Sequence, residues 1–326
     1  MRFKFIALFF LVFKTFGQFN PKIDEYKHYS IIKKKDTINF HLYSNEKIEK
    51  LNSVLLFLQG SGSAPFMEVE IKDKIKYIKS HIPFDLDKIP KNFAFVVISK
   101  KGIPFSIKNS VFKTPKIFYE YESLEYRAKQ ADAVIKYIKK NLIHKPTKVV
   151  AIGHSEGSDV VAKLGTINKS LTHIGFWAGD GNTQYYDFAL FTRKEVQKGN
   201  LTELQGKIKI DSLLNQFKEI QKEENSITKF WEGHTFRRWS KFSEPSIENL
   251  LKIKIPIFVT ACGKDGAVPI ESSYLIPIEF IRKNKTNLTF KVYPNYDHSF
   301  MIDSEEKTEY HWMEVFDEFM NWANEN

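Results

Sequence analysis

A chain of 326 residues, 42% hydrophobic and 27% charged, carries ample apolar material for a large core, which excludes a chain that stays disordered. Its formal charge of +10 comes from scattered lysines, as in Lys33-Lys34-Lys35, Lys100-Lys101 and Lys139-Lys140. No stacking or Gly-rich nucleic-acid motif is interleaved with them, so they read as a solvated surface, and no nucleic-acid partner is expected. The single Cys262 excludes an internal disulfide.

The chain opens with Arg2 and Lys4, an unbroken apolar run from Phe5 to Phe13, and then Thr15-Phe16-Gly17. This is the layout of a signal peptide over residues 1–17, with Gln18 starting the mature domain of 18–326. Nine apolar residues are too few for a retained span, so export to the periplasm or exterior without stable membrane insertion is expected. Loss of Arg2, Lys4 and Lys14 with that segment lowers the formal charge from +10 to +7.

Two leading strands are expected around Tyr29 to Ile32 and Thr37 to Leu42, then buried-strand runs at Val54 to Leu58 and Phe93 to Ile98. Apolar residues at helical spacing (Leu124, Ala128, Ala131, Val134, Ile135, Ile138) predict a helix over 119–141. A buried strand follows at Lys148 to Ile152, ending directly at Gly153; next come a small-residue helix with Val160, Val161 and Leu164, and a strand at His173 to Trp177. Between Asp180 and Leu251 the alternation lapses, although Ile210, Leu213, Leu214, Phe217 and Ile220 mark an amphipathic helix there. A connection of that length with helices of its own reads as a cap inserted after the sixth strand. The pattern resumes with a strand at Ile255 to Ala261, a helix near Ser272 to Arg282, a strand at Leu288 to Val292 and a last helix from about Glu305 to Trp322. Such alternation predicts an α/β fold, a mostly parallel central sheet with helices on both faces.

The chemistry concentrates at Gly153-His154-Ser155-Glu156-Gly157. Glycines two residues either side of a serine let a strand and a helix approach closely around an exposed hydroxyl, the first requirement of a serine nucleophile. In this setting the chain resembles the α/β-hydrolase superfamily over roughly residues 28–324, nearest to its dienelactone-hydrolase, prolyl-oligopeptidase and simple serine-esterase branches. The resemblance implies the order nucleophile, acid, base. Gly263-Lys264-Asp265 before Val268-Pro269 matches the acid loop, with Glu271 and Asp303 as weaker substitutes. His298 lies after the last strand, where the base belongs, whereas His311 sits in a helical pattern beside Trp312. The expected catalytic set is Ser155, Asp265 and His298.

An oxyanion hole is expected from the backbone N–H of Glu156 and of Ser61, in Gln59-Gly60-Ser61-Gly62. Gln59 stands where family members carry histidine. The Glu156 side chain is read as a solvated helix-start glutamate, in preference to a group that binds a substrate amine. Trp177, Arg237 and Trp239 are candidate substrate-binding residues, Arg237-Arg238 as a clamp for a substrate carboxylate. Most aromatics between Tyr185 and Phe242 are expected to pack the cap, with a subset facing an apolar pocket. The expected reaction is cleavage of a carboxylic ester or thioester, or alternatively of a peptide-like amide, on a small-molecule or peptide-like substrate. A non-catalytic binding member of the fold is the remaining alternative. No cofactor and no metal are required.

Overall fold

The computed structural model describes residues 21–33, 36–73, 75–108, 112–304 and 307–326. The expected signal peptide lies outside the described residues. In chain order the strands are β1 (Lys27–Lys33), β2 (Asp36–Tyr43), β3 (Ser53–Leu58), β4 (Met67–Lys72), β5 (Ile75–Ser80), β6 (Phe93–Ile98) and β7 (Ser106–Lys108). Helices α1 (Lys116–Tyr121) and α2 (Leu124–Asn141), strand β8 (Lys148–His154), helix α3 (Glu156–Ile167) and strand β9 (His173–Trp177) follow. The inserted segment then holds α4 (Gln184–Gln197), α5 (Glu203–Lys222), the two-residue strands β10 (Phe230–Trp231) and β11 (His234–Thr235), α6 (Phe236–Lys241) and α7 (Ser246–Leu250). After it come β12 (Ile257–Cys262), α8 (Ile270–Arg282), β13 (Leu288–Tyr293), β14 (Met301–Asp303), β15 (Thr308–Tyr310) and α9 (Trp312–Glu325).

Eight of these strands form one sheet in the order β1-β2-β6-β3-β8-β9-β12-β13. The six from β6 to β13 run parallel, and β1 and β2 add an antiparallel edge. Strand β9 is the sixth of this sheet along the chain, and the segment holding α4 to α7 lies between it and β12. Strands β3, β6, β8, β9 and β12 are apolar runs because both faces of the sheet are covered. Alternate side chains feed two cores: Val54, Leu56, Ala151, Ile174 and Val259 face α2, α3 and α8, whereas Leu55, Phe57, Val150, Ile152 and Phe258 face α9. Each fully buried Leu, Val or Phe contributes about 1.5–3 kcal/mol by leaving water.

Three parts differ from the sequence reading. The expected helix over 119–141 is two helices, because the Ser123 hydroxyl accepts from Tyr126 N–H and caps a new start at Leu124. The last helix begins at Trp312 rather than near 305; before it, Met301 to Asp303 pairs antiparallel with Thr308 to Tyr310. A small sheet of β5-β4-β7 joins two strands from the connection between β3 and β6 to one that follows β6. Among the described residues no helix is long and apolar enough to cross a membrane.

From β3 the chain crosses to β6 on one side, then returns to β8 on the other. Loops at the carboxyl ends of β3 and β8 diverge at that switch and leave a crevice, where open α/β sheets place their sites.

Candidate active site

Ser155 stands in that crevice, between β8 and α3, with φ 57° and ψ −130°. A non-glycine residue held there costs about 1–3 kcal/mol, so its neighbours must impose it. Two contacts do so. A Cβ on Gly153 would stand 1.9 Å from the Gly157 carbonyl oxygen, and one on Gly157 would stand 2.0 Å from that of Leu58. Only glycine at both positions lets the helix start so close to the strand ends. Ser155 N–H donates to the Trp177 carbonyl at 3.0 Å, which fixes the turn from the β9 side.

The acid and base loops meet beside this turn. Asp265 follows β12 and His298 follows β13, and Nδ1–H of His298 donates to Asp265 Oδ2 at 2.7 Å. The other carboxylate oxygen of Asp265 accepts from Ala267 and Val268 N–H at 2.7 and 2.8 Å, which sets its orientation. Burial opposes protonation of His298, but the charge and hydrogen bond of Asp265 outweigh it and hold the imidazole above its ordinary value. His298 Nε2 is buried and has no hydrogen-bond partner among the described residues; it is not bonded to Ser155 Oγ. It is the atom of this pair open to a proton.

His154 joins the two loops. Its Nε2–H donates to the His298 carbonyl at 2.8 Å, and the two rings lie 5.0 Å apart. Burial and the neighbouring His298 push its pKa down to about 3, so it stays a neutral donor. The residue before Ser155 thus holds the loop of the candidate base. Of the alternative groups, Glu271 pairs with Lys194 at 2.7 Å, Asp303 lies in the β14–β15 hairpin, and His311 caps α9 and pairs with Glu314 at 2.9 Å.

The loop of one expected oxyanion arm reaches Ser155. An ideal Cβ on Gly60 would lie 3.1 Å from Ser155 Cβ, so the Gln59-Gly60-Ser61-Gly62 loop packs against Ser155. Glu156 N–H heads helix α3, where the first amides have no intrahelical acceptor.

The Glu156 side chain is not solvated. It is 1% exposed and bridges two guanidinium groups, with Oε1 2.7 Å from Arg127 Nη1 and Oε2 2.7 Å from Arg238 Nε. Burial raises its pKa, but Arg238, Lys100 and Arg127 outweigh that and bring it down to about 2, so it is ionised. With both oxygens engaged it is unsuited to binding a substrate amine. Arg127 extends from α2 and its Nη2 donates to the Gln59 carbonyl at 2.6 Å; Arg238 comes from the insertion and also donates to Gln184 Oε1 at 2.7 Å. One carboxylate therefore ties the loop after β3 and the insertion to the start of α3.

Lys100 belongs to the same group. Read from sequence as part of a surface pair, it is 4% exposed, with Nζ donating to the carbonyls of Gly60 at 2.5 Å and Gly62 at 2.6 Å. Burial, then Arg127, lowers its pKa to about 7, and burial, then Glu156, raises that of nearby Glu122 to about 7. Two signals for these residues were present in the sequence. Arg127 falls on the apolar stripe of α2, between Leu124 and Ala128, and Lys100 stands two residues beyond the end of a parallel strand.

The three expected substrate-binding residues lie elsewhere. Trp177 is fully buried against Phe84, Phe300, Trp312 and Phe319, in the core beneath the site. Trp239 is buried in the insertion's own core with Phe236 and Ile220, its indole N–H donating to the Trp231 carbonyl at 2.7 Å. Arg237 donates to Asn225 Oδ1 at 3.0 Å, within the insertion. It is Arg238, not its neighbour, that reaches the elbow, and it meets Glu156 rather than a substrate. The aromatics expected to pack the insertion do so, as in Tyr185 stacked on Phe217 at 4.3 Å.

Solved structures share this architecture. An acylaminoacyl peptidase of Pyrococcus horikoshii matches with a TM-score of 0.58 and 12% identity over 92% of this chain, and 41% of its own chain is covered. For the dipeptidyl peptidase 4 of Porphyromonas gingivalis the TM-score is 0.55 and the identity 11%, over 92% of this chain and 35% of that one. An esterase of Pyrococcus furiosus matches with a TM-score of 0.54 and 15% identity, over 92% of this chain and 91% of the esterase. The chain thus spans well under half the length of the two peptidases. None of the curated proteins matches it in sequence.

By strand order, elbow and these likenesses the chain is an α/β-hydrolase in fold. Within that class, the pattern of the dienelactone hydrolase family matches residues 230–325, a stretch that includes Asp265 and His298 but not Ser155.

Two outcomes are expected of this geometry. Asp265→Asn removes the charge that raises the His298 pKa, so that pKa, followed by NMR, falls below the wild-type value; an unchanged titration would place its partner elsewhere. Since the folded pKa is raised, the stability this pair confers is fully present below the ordinary imidazole pKa of about 6.5 and is lost as pH rises through the folded value. Glu156→Gln leaves Arg127 and Arg238 buried without their counter-charge and costs about 3–5 kcal/mol in urea unfolding. A cost under about 1 kcal/mol, the range of exposed pairs, would contradict the bridge.

Proposed function

We propose that this chain is a serine hydrolase that cleaves carboxylic esters or thioesters through an acyl-enzyme at Ser155. The observation that supports the reading is the Asp265–His298 pair, whose Nε2 has no partner among the described residues and whose loop is bonded to His154, the neighbour of the strained, partly exposed Ser155. In the proposed reaction Ser155 Oγ attacks the substrate carbonyl carbon as His298 Nε2 takes the hydroxyl proton, and the charge collects on the carbonyl oxygen. Glu156 and Ser61 N–H groups receive that oxyanion. Collapse breaks the bond to the alcohol or thiol, which leaves with the proton from His298. Water then repeats the sequence on the acyl-enzyme and releases the acid. Asp265 keeps Nδ1 protonated and stabilises the imidazolium formed in each half. The reading includes export, on the strength of the Arg2 to Gly17 pattern.

A fluorophosphonate probe should label the wild-type protein and fail to label Ser155→Ala; labelling of the variant would move the nucleophile. Amide cleavage uses the same groups, so p-nitrophenyl esters of graded length are compared with aminoacyl p-nitroanilides. Ester turnover without anilide turnover is expected, and a preference for anilides would make the protein a peptidase.

A further inference from the structure

We propose that Lys100 is a positioning residue of the oxyanion hole, its buried Nζ holding the Gly60–Ser61 peptide in the orientation that serves the transition state. The proposal rests on the acyl-transfer reading above and adds a residue that the reading does not require.

The loop itself lacks the means to hold its shape. Gln59-Gly60-Ser61-Gly62 has two glycines in four residues, and Gly62 takes φ 85°. Such a segment has many backbone states open to it, yet an oxyanion donor works only when its direction is set before the charge forms. Three of the four carbonyls are secured from one side: Gln59 by Arg127, and Gly60 and Gly62 by Lys100. A trans peptide is planar, with its C=O and N–H pointing in opposite directions. Fixing the Gly60 oxygen on Lys100 therefore turns the Ser61 N–H away from Lys100. No protein acceptor among the described residues takes that N–H. The residue so clamped is also the one packed against Ser155, at 3.1 Å from a Cβ on Gly60 to Ser155 Cβ.

The energetics argue against a purely structural part for the ammonium. Among the described residues no carboxylate lies within ion-pairing distance of Lys100, and its surroundings set Arg127 and Arg238 against the carboxylates of Glu156 and Glu122. A methionine of similar length would fill this space without desolvating a charge. What methionine lacks is a pair of hydrogen-bond donors for the two carbonyls. Glu122, whose Oε1 is buried and unpartnered, faces the same group of cations and offsets part of their charge.

The test compares wild-type, Lys100→Met and Lys100→Arg proteins with p-nitrophenyl butyrate, and measures inhibition by an alkyl trifluoromethyl ketone, which forms a tetrahedral oxyanion on the serine. Lys100→Met should remain folded by circular dichroism and lose about 100-fold in kcat, the scale of one oxyanion donor, with KM within about twofold. Affinity for the ketone should fall in parallel with kcat. A folded Lys100→Met with wild-type kcat and ketone affinity overturns the proposal, as does a loss confined to KM. Should that variant not fold, Lys100→Arg decides: its guanidinium meets the carbonyls from other angles, so kcat falls at least tenfold if position matters and holds at the wild-type value if the cation serves stability alone. A wild-type protein that neither turns over esters nor reacts with fluorophosphonate would instead remove the acyl-transfer reading itself.

Discussion

Helix α3 begins so near the ends of β3 and β8 that a single Cβ at Gly153 or Gly157 would overlap backbone atoms. From that approach follow the strained positive φ of Ser155, its partial exposure, and the position of Glu156 at the first turn of the helix. It also brings the loop after β3 against Ser155, because Gly157 packs on Leu58 and Gly60 packs on Ser155. The backbone strain at Ser155 is sustained by a core in which β3, β6, β9 and β12 are buried along their whole length and β8 beyond its first residue. A site with this geometry needs a rigid sheet beneath it, and Trp177 is part of that sheet: its carbonyl fixes Ser155 N–H while its indole fills the core below.

Around the elbow the groups divide by charge. On one side, Asp265 and His298 form a buried pair whose proton sits between the nitrogen and the carboxylate, with neutral His154 bracing the loop. On the other, Lys100, Arg127 and Arg238 gather about the ionised Glu156. The positive side is the one that carries the loop of Ser61. A developing oxyanion there would form within the field of fixed cations in a water-poor environment, where such fields act strongly.

The parallel sheet and the order of the candidate triad were legible in the sequence, because buried strands leave unbroken apolar runs and the elbow needs glycines at fixed spacing. Asp265 and His298 were readable from their places after strands. The β4-β5-β7 sheet was not: Met67 to Lys72 and Ile75 to Ser80 mix lysines and glutamates with apolar residues, so neither period stands out. The hairpin at Met301 to Tyr310 is held by three residue pairs, too few to show as alternation. Glu156 was misread because a carboxylate at a helix start satisfies the dipole whether or not it is buried. Its two partners come from positions 29 residues before it and 82 after it, a juxtaposition that only the tertiary fold creates.

The bridge at Glu156 also bears on how this chain can change. Positions 127, 156 and 238 share one buried charge balance, so altering any one strands the others, while an apolar set replacing all three at once would avoid that penalty. Drift at the elbow is therefore slow by single steps and opens only through joint exchange. Relatives that bind the insertion by other means should differ at all three positions together, and the identity of the residue after the nucleophile becomes a marker of how the insertion is moored.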